Sequence, residues 1–227
     1  MVLSDGLICE NGGESMIPCL ISAALGYLLG CSNMALYIAR LKGVDIRAGG
    51  TGNPGASNAM VLMGWWAGVI TAFHDIGKSA LAVYLARRFC PDFAYAGLTA
   101  GFFAVLGHMF PVFMGFRGGK GLASYFGMIL AIDWKFALIM VAAGVLLTLI
   151  TDYIVVATVT FAVVFPIYAA VKIDWTAFAI VCAASVIMLS KHRENFRRLA
   201  DGTEIGLRRA NSGKLRADRK DIKEDRK

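Results

Sequence analysis

The sequence predicts an all-α polytopic membrane protein of about seven transmembrane helices, five to seven depending on how the shortest apolar segment is counted. Three observations lead there. Hydrophobic residues make up 57% of the 227-residue chain, at a mean hydropathy of +0.61, more apolar side chain than a soluble domain of this length needs. The apolar runs are continuous and lack the two-residue alternation of a barrel strand, which leaves helices as the spanning structure. Charge is confined as well: of a net +7, thirteen Lys or Arg against seven Asp or Glu lie from Lys191 onward. A basic segment after the last apolar run marks a cytoplasmic tail near anionic lipid. No aromatic or recognition-helix pattern accompanies it, so nucleic acid is not an expected partner.

The elements follow in order. Residues 1–15 carry Asp5, Glu10 and Glu14 and no basic residue, unlike a secretory leader, and are expected to be a polar extension with Met16 as a candidate start. Span 1 covers Met16 to Ala39, and a polar loop runs from Arg40 to Asn58. The next apolar stretch reaches Ala86 with an expected break at His74 to Lys78. A turn at Arg87 to Asp92 leads to span 3, Phe93 to Met114. Beyond a glycine-rich loop come Leu122 to Ile132, Phe136 to Ile150, Tyr153 to Val171 and Trp175 to Ser190. The first of these is too short to cross a hydrocarbon core of about 30 Å, so it is expected to be a half-span or to begin inside a cavity.

Residues 16–204 thus form the membrane domain, and 205–227 a basic tail expected to be disordered. With the N-terminus outside, eighteen of the 23 Lys and Arg fall on one side of the membrane and four on the other. The positive-inside rule favours that orientation, with a cytoplasmic C-terminus. Five cysteines and three histidines show no metal-ligand spacing; neither a metal nor a cofactor is expected.

Chemistry concentrates in three polar segments that this topology places on the cytoplasmic face. Phe116 to Ser124 reads Phe-Arg-Gly-Gly-Lys-Gly-Leu-Ala-Ser. Gly118, Gly119 and Gly121 let the backbone turn amide N–H groups toward one point, a concavity suited to phosphate, while Lys120 and Arg117 add charge. Met114 and Gly121 stand where a P-loop needs Gly and Ser or Thr; a tight connection between spans is the alternative reading. The first loop, Asp45 to Asn58, packs four glycines and a proline into residues 49–55, and Thr51, Asn53 and Asn58 offer hydrogen bonds to a polar ligand or to the loop itself. In the tail, His192, Asn195 and Arg198 fall on one face of a helix, able to bind an anion and hold a proton acceptor, or simply forming a solvated juxtamembrane helix. Asp75 and Lys78, at i and i+3 in an apolar run, are expected to pair.

Together these segments resemble the bacterial acyl-phosphate-dependent glycerol-3-phosphate acyltransferase family, PlsY. The resemblance spans about Ile17 to Glu204. It rests on Thr51-Gly-Asn-Pro-Gly-Ala-Ser-Asn58 with Gly64, on Gly107-His-Met-Phe-Pro111 leading into Phe116 to Ser124, and on His192-Arg-Glu-Asn-Phe-Arg-Arg-Leu199 with Gly202-Thr-Glu204. It implies transfer of a fatty acyl group from acyl phosphate to the 1-hydroxyl of glycerol 3-phosphate, giving lysophosphatidate and phosphate, in the bacterial inner membrane. It further implies that Gly118, Gly119, Lys120 and Gly121 cradle the donor head group, that His192, Asn195 and Thr51 are catalytic, that Asn53, Asn58 and Arg198 contact substrate, and that Glu204 is structural.

Two positions depart from the family pattern. Val61 stands where relatives usually carry an Arg expected to meet the acceptor phosphate, and Val155 where they carry a hydroxyl. Arg40, Arg47, Lys78 or a tail arginine is then needed as the substitute cation. A paralogue with altered acceptor, or a small-anion transporter built on the break at His74 to Lys78, are the rival readings.

Overall fold

The computed structural model describes residues 16–204, 206 and 208. The expected N-terminal extension, and the expected disordered tail except residues 206 and 208, lie outside the described residues. Among the described residues the chain runs through α1 (Met16–Gly30), α2 (Met34–Leu41), α3 (Ala56–Met63), α4 (Trp65–Phe89) and α5 (Ala96–Met109), then a 3-10 turn (Val112–Met114). It continues through α6 (Leu122–Ile132), α7 (Trp134–Thr151), α8 (Ile154–Lys172), α9 (Trp175–Lys191) and α10 (Arg193–Ala200), with no strand among the described residues.

Two boundaries differ from the sequence expectation. Span 1 is divided, because Asn33 restarts the helix: its side-chain oxygen accepts from the Leu36 N–H at 3.0 Å and caps α2. The expected break at His74 to Lys78 does not occur. There α4 is continuous, and the interruption lies at Gly64, whose φ of 102° separates α3 from α4. The cause is local pairing: Lys78 Nζ meets Asp75 Oδ1 at 2.8 Å, one turn apart, so the two charges satisfy each other from a regular helix.

Close packing of small residues fixes the bundle. Gly26 and Gly30 of α1 lie against the carbonyls of Ala100 and Ala104 of α5, and Gly107 against Tyr27 O, so these helices run parallel with their backbones in direct contact. Helices α4 and α6 are parallel too. Ser124 Oγ donates to Asp75 O at 3.3 Å, Gly127 rests on Ile76 O, and Arg87 Nη1 donates to Ala131 O at 3.0 Å. Asp75 is the eleventh residue of α4, so α6 begins about 15 Å along its neighbour at 1.5 Å per residue. The glycine loop therefore descends into the bundle before α6 starts, which is why α6 is short.

Hydrogen bonds sort the connections into two ends. At one, Arg47 bonds the carbonyls of Met114 and Arg117, Lys120 bonds Asn195, and the Arg208 N–H donates to Asp152 Oδ1 at 2.9 Å. At the other, Tyr95 Oη donates to Asp174 Oδ2 at 2.7 Å and Tyr168 Oη to Asp133 Oδ2 at 2.5 Å. By length and composition, four segments among the described residues can cross a membrane: Met16–Leu41, Ala96–Met114, Trp134–Thr151 and Ile154–Lys172. Trp175–Lys191 qualifies only together with Arg193–Ala200, to which it is bent by 54°, so the count reaches five when that pair is taken as one span. Helix α4 is long but carries Asp75, Lys78, Arg87 and Arg88, and α6 has only eleven residues, so a count of seven full crossings does not follow from these criteria.

Replacing Gly26 by Val places a branched side chain against the Ala100 backbone. Thermal unfolding in detergent is expected to show a loss of about 1–3 kcal/mol or more, whereas Gly77→Ala, where an added Cβ meets nothing within 4 Å, is expected to be neutral or slightly stabilising.

Candidate functional site

The first loop is held from within by one side chain. Asn58 is completely buried; its Nδ2 donates to Ile46 O at 2.9 Å and Gly49 O at 3.1 Å, and its Oδ1 accepts from the Thr51 N–H at 2.9 Å. Asn33 Nδ2 adds a bond to Pro54 O at 3.0 Å. These contacts shape residues 46–54 into a wall, and Arg47 carries that wall to the glycine loop through Arg117 O at 2.8 Å and Met114 O at 3.3 Å.

The glycine loop differs from the concavity expected of it. The Gly118 N–H donates to Met109 O at 3.1 Å and the Gly119 N–H to His108 O at 3.0 Å. Those amides face the end of α5, not a ligand, and the expectation of an amide nest at 118 and 119 is corrected accordingly. Their glycines answer a packing demand: a Cβ on Gly118 would strike His108 O and Pro111 Cδ, and one on Gly119 would strike the His108 ring. Gly121, at φ 95°, turns the chain into α6 as its N-cap. No main-chain bond accounts for the N–H groups of Lys120, Gly121, Leu122 or Ala123 among the described residues, as befits a helix N-terminus.

The tail supplies the third wall. Lys120 Nζ bonds Asn195 Oδ1, Asn195 Nδ2 donates to Glu204 Oε1 at 2.5 Å, and Arg198 Nε donates to Glu204 Oε2 at 2.7 Å. Glu204 thus orients Asn195 and Arg198, and Asn195 orients Lys120. His192, at the bend between α9 and α10, is 5% exposed, and its Nδ1 lies 3.0 Å from Met188 O. A carbonyl only accepts, so Nδ1 carries the proton and the neutral ring keeps a lone pair on Nε2. Burial, aided by the nearby Lys120 charge, holds His192 below its ordinary value of 6.5 against the opposing Met188 bond. Burial likewise pulls Lys120 down, reinforced by Arg198.

Between the three walls lies a cavity of about 350 Å³ lined by Arg47, Thr51 to Pro54, Arg117 to Lys120, Lys191 and Glu194. Four cations face one carboxylate across it, an environment that favours anions. Of the residues singled out from sequence, Arg47, Thr51, Asn53, Arg117, Gly118, Gly119 and Lys120 line it. Asn195 reaches it through Lys120, and His192 lies between the lining residues Lys191 and Glu194 in sequence. Asn58 and Arg198 act on the loop and on Glu204 instead, and Gly121 lies behind at the start of α6. Sequence reasoning did not select Lys191, whose ammonium sits 4.1 Å from the Phe110 ring, or Glu194. The one signal for both was adjacency to His192.

An apolar helical bundle that gathers four cations at one end defines a polytopic membrane protein with an anion-favouring cavity. Comparison with known proteins gives the family. The glycerol-3-phosphate acyltransferase family model matches residues 20–202. Glycerol-3-phosphate acyltransferase 1 of Oceanobacillus iheyensis is 37% identical over 196 residues, covering 83% of this chain and 94% of that protein. The glycerol-3-phosphate acyltransferase of Thermus thermophilus is 38% identical over 185 residues, 81% and 92% of the two chains. The crystal structure of PlsY (YgiH), an integral membrane glycerol 3-phosphate acyltransferase, in its glycerol 3-phosphate form, aligns with a TM-score of 0.78 at 31% identity over 83% of this chain and 95% of that one. Its lysophosphatidic acid form aligns with a TM-score of 0.75. The chain belongs to the glycerol-3-phosphate acyltransferase family.

Gly119→Ala drives a methyl group into the His108 ring, one residue before Lys120. The expected result is a loss of about 1–3 kcal/mol in stability together with weaker binding of inorganic phosphate, measured by thermal unfolding with and without phosphate.

Proposed function

We propose that this protein transfers a fatty acyl group from an acyl phosphate to the 1-hydroxyl of glycerol 3-phosphate at the cytoplasmic face of a bacterial inner membrane. The observation that carries the reading is the cationic cavity, where Arg47, Arg117, Lys120 and Lys191 surround a space of about 350 Å³. Both substrates are phosphate monoesters or anhydrides, and two such anions repel each other unless cations lie among them. Each charge-assisted hydrogen bond contributes about 1.5–3 kcal/mol, and the low-dielectric surroundings strengthen such pairs further.

The chemistry asks little beyond placement. An acyl phosphate is a mixed anhydride, already activated, so no covalent enzyme intermediate is needed. The acceptor hydroxyl oxygen forms a bond to the acyl carbon, the bond from that carbon to the phosphate oxygen breaks, and inorganic phosphate departs. The hydroxyl proton goes to His192 Nε2, the free lone pair left by the Met188 contact, as general base catalysis requires. Thr51 and Asn53 supply neutral hydrogen bonds on the acceptor side. Arg47 serves as the guanidinium of the first loop in place of the one missing at Val61; it lines the cavity, and Val61 on α3 does not. The acceptor assignment rests on that substitution.

Purified protein given palmitoyl phosphate and a panel of polyol phosphates is expected to release phosphate fastest with glycerol 3-phosphate. A different polyol phosphate working better would transfer the reading to an altered acceptor. Arg47→Ala is expected to raise KM for the acceptor about tenfold or more with a smaller change for the donor. His192→Ala is expected to lower kcat about a hundredfold or more. In the intact enzyme the acid limb of kcat/KM should fall below pH 6.5, because His192 is held below that value and stays neutral until the pH drops through it.

A further inference from the structure

Directly behind the glycine loop, outside the cavity lining, three polar side chains from α4 and α5 converge in the interior with the Ser32 carbonyl. Asp75, Lys78 and His108 are 1%, 6% and 4% exposed. The Lys78 ammonium has three N–H groups, and three acceptors surround it: Asp75 Oδ1 at 2.8 Å, His108 Nδ1 at 2.9 Å and Ser32 O at 2.6 Å. Ser32 lies in the interruption between α1 and α2, and its Oγ is 3.0 Å from His74 Nε2. His108 Nδ1 also lies 3.4 Å from Asp75 Oδ1, but the ammonium is closer at 2.9 Å and has no lone pair, so Nδ1 accepts and the proton of the neutral ring sits on Nε2. That nitrogen is close enough that a Cβ on residue 119 would strike it, and the His108 carbonyl takes the Gly119 N–H at 3.0 Å.

We propose that Asp75, Lys78 and His108 are positioning residues for the anion site: they fix the His108 ring, the ring and its carbonyl seat Gly119, and Gly119 sets where the next residue, Lys120, presents its ammonium. This rests on the cavity being the phosphate site. Stability alone does not explain the cluster, since burying an ion pair is costly and apolar replacements of similar volume are often neutral or stabilising. What an apolar trio cannot provide is one fixed ring orientation, specified by three saturated donors and a single tautomer. Through Lys120 the effect reaches Asn195 and Glu204, which belong to the opposite wall.

The test uses full-length protein in detergent and two readouts, thermal unfolding and the reaction of Lys120 with cyanate mapped by mass spectrometry at increasing inorganic phosphate. Wild-type Lys120 is expected to be protected by phosphate. In Asp75→Leu/Lys78→Met the protein is expected to stay folded while the half-protecting phosphate concentration rises about tenfold or more. His108→Gln, a milder change, is expected to raise it less, with KM for acyl phosphate rising more than kcat falls. Unchanged protection in a folded double variant overturns the positioning role while leaving the cavity reading intact. Should the double variant not fold, unchanged protection in His108→Gln overturns it equally. No protection in the wild type removes the phosphate site itself, and the positioning role with it.

Discussion

Two main-chain hydrogen bonds, from Gly118 to Met109 O and from Gly119 to His108 O, hold the functional end of this molecule together. A helix C-terminus leaves carbonyls without intrahelical partners. Here the loop that follows folds back and satisfies two of them, lying so close to α5 that no side chain fits at either position. The loop is thereby a continuation of the bundle's interior, and Lys120, the residue after Gly119, projects from that base toward Asn195.

Much else follows from that arrangement. Because the loop descends alongside α5, α6 starts at the middle of α4 and needs only eleven residues. Because Lys120 projects away from α5, it meets the tail at Asn195, and the tail must be braced by Glu204 to receive it. Arg47 fastens the first loop to the same segment from the other side. Arg47 and Lys120 are held there by hydrogen bonds to neutral carbonyls and an amide, so the cavity keeps an excess of positive charge, which favours anions.

The broad architecture was legible in the sequence because membrane helices are dictated by continuous apolar runs and by charge placement. The short segment at 122–132 and the gathering of three polar loops at one end could be read directly, as could the pairing of Asp75 with Lys78. Two readings failed for physical reasons. Charged residues at 74–78 looked like a broken helix, yet a pair one turn apart, with His108 and Ser32 to complete it, lets α4 continue. The glycines at 118 and 119 looked like a nest because glycine permits one; glycine also permits close approach, and only the carbonyls of His108 and Met109 decide between the two. Lys191 was invisible for a related reason, since its place in the cavity depends on the bend after α9. Asn58 shows the converse: its type left ligand contact and loop bracing both open and the family resemblance implied substrate contact, and burial with three loop bonds makes it the loop's internal brace.

Residue-resolved amide hydrogen exchange of the protein in detergent tests the seating of the glycine loop most directly. The Gly118 and Gly119 amides should exchange slowly with or without a phosphate ligand, while those of Lys120 to Ala123 slow only when phosphate is present. Rapid exchange at 118 and 119 that is suppressed by phosphate would contradict the account, since it would mean that those two donors face the ligand after all.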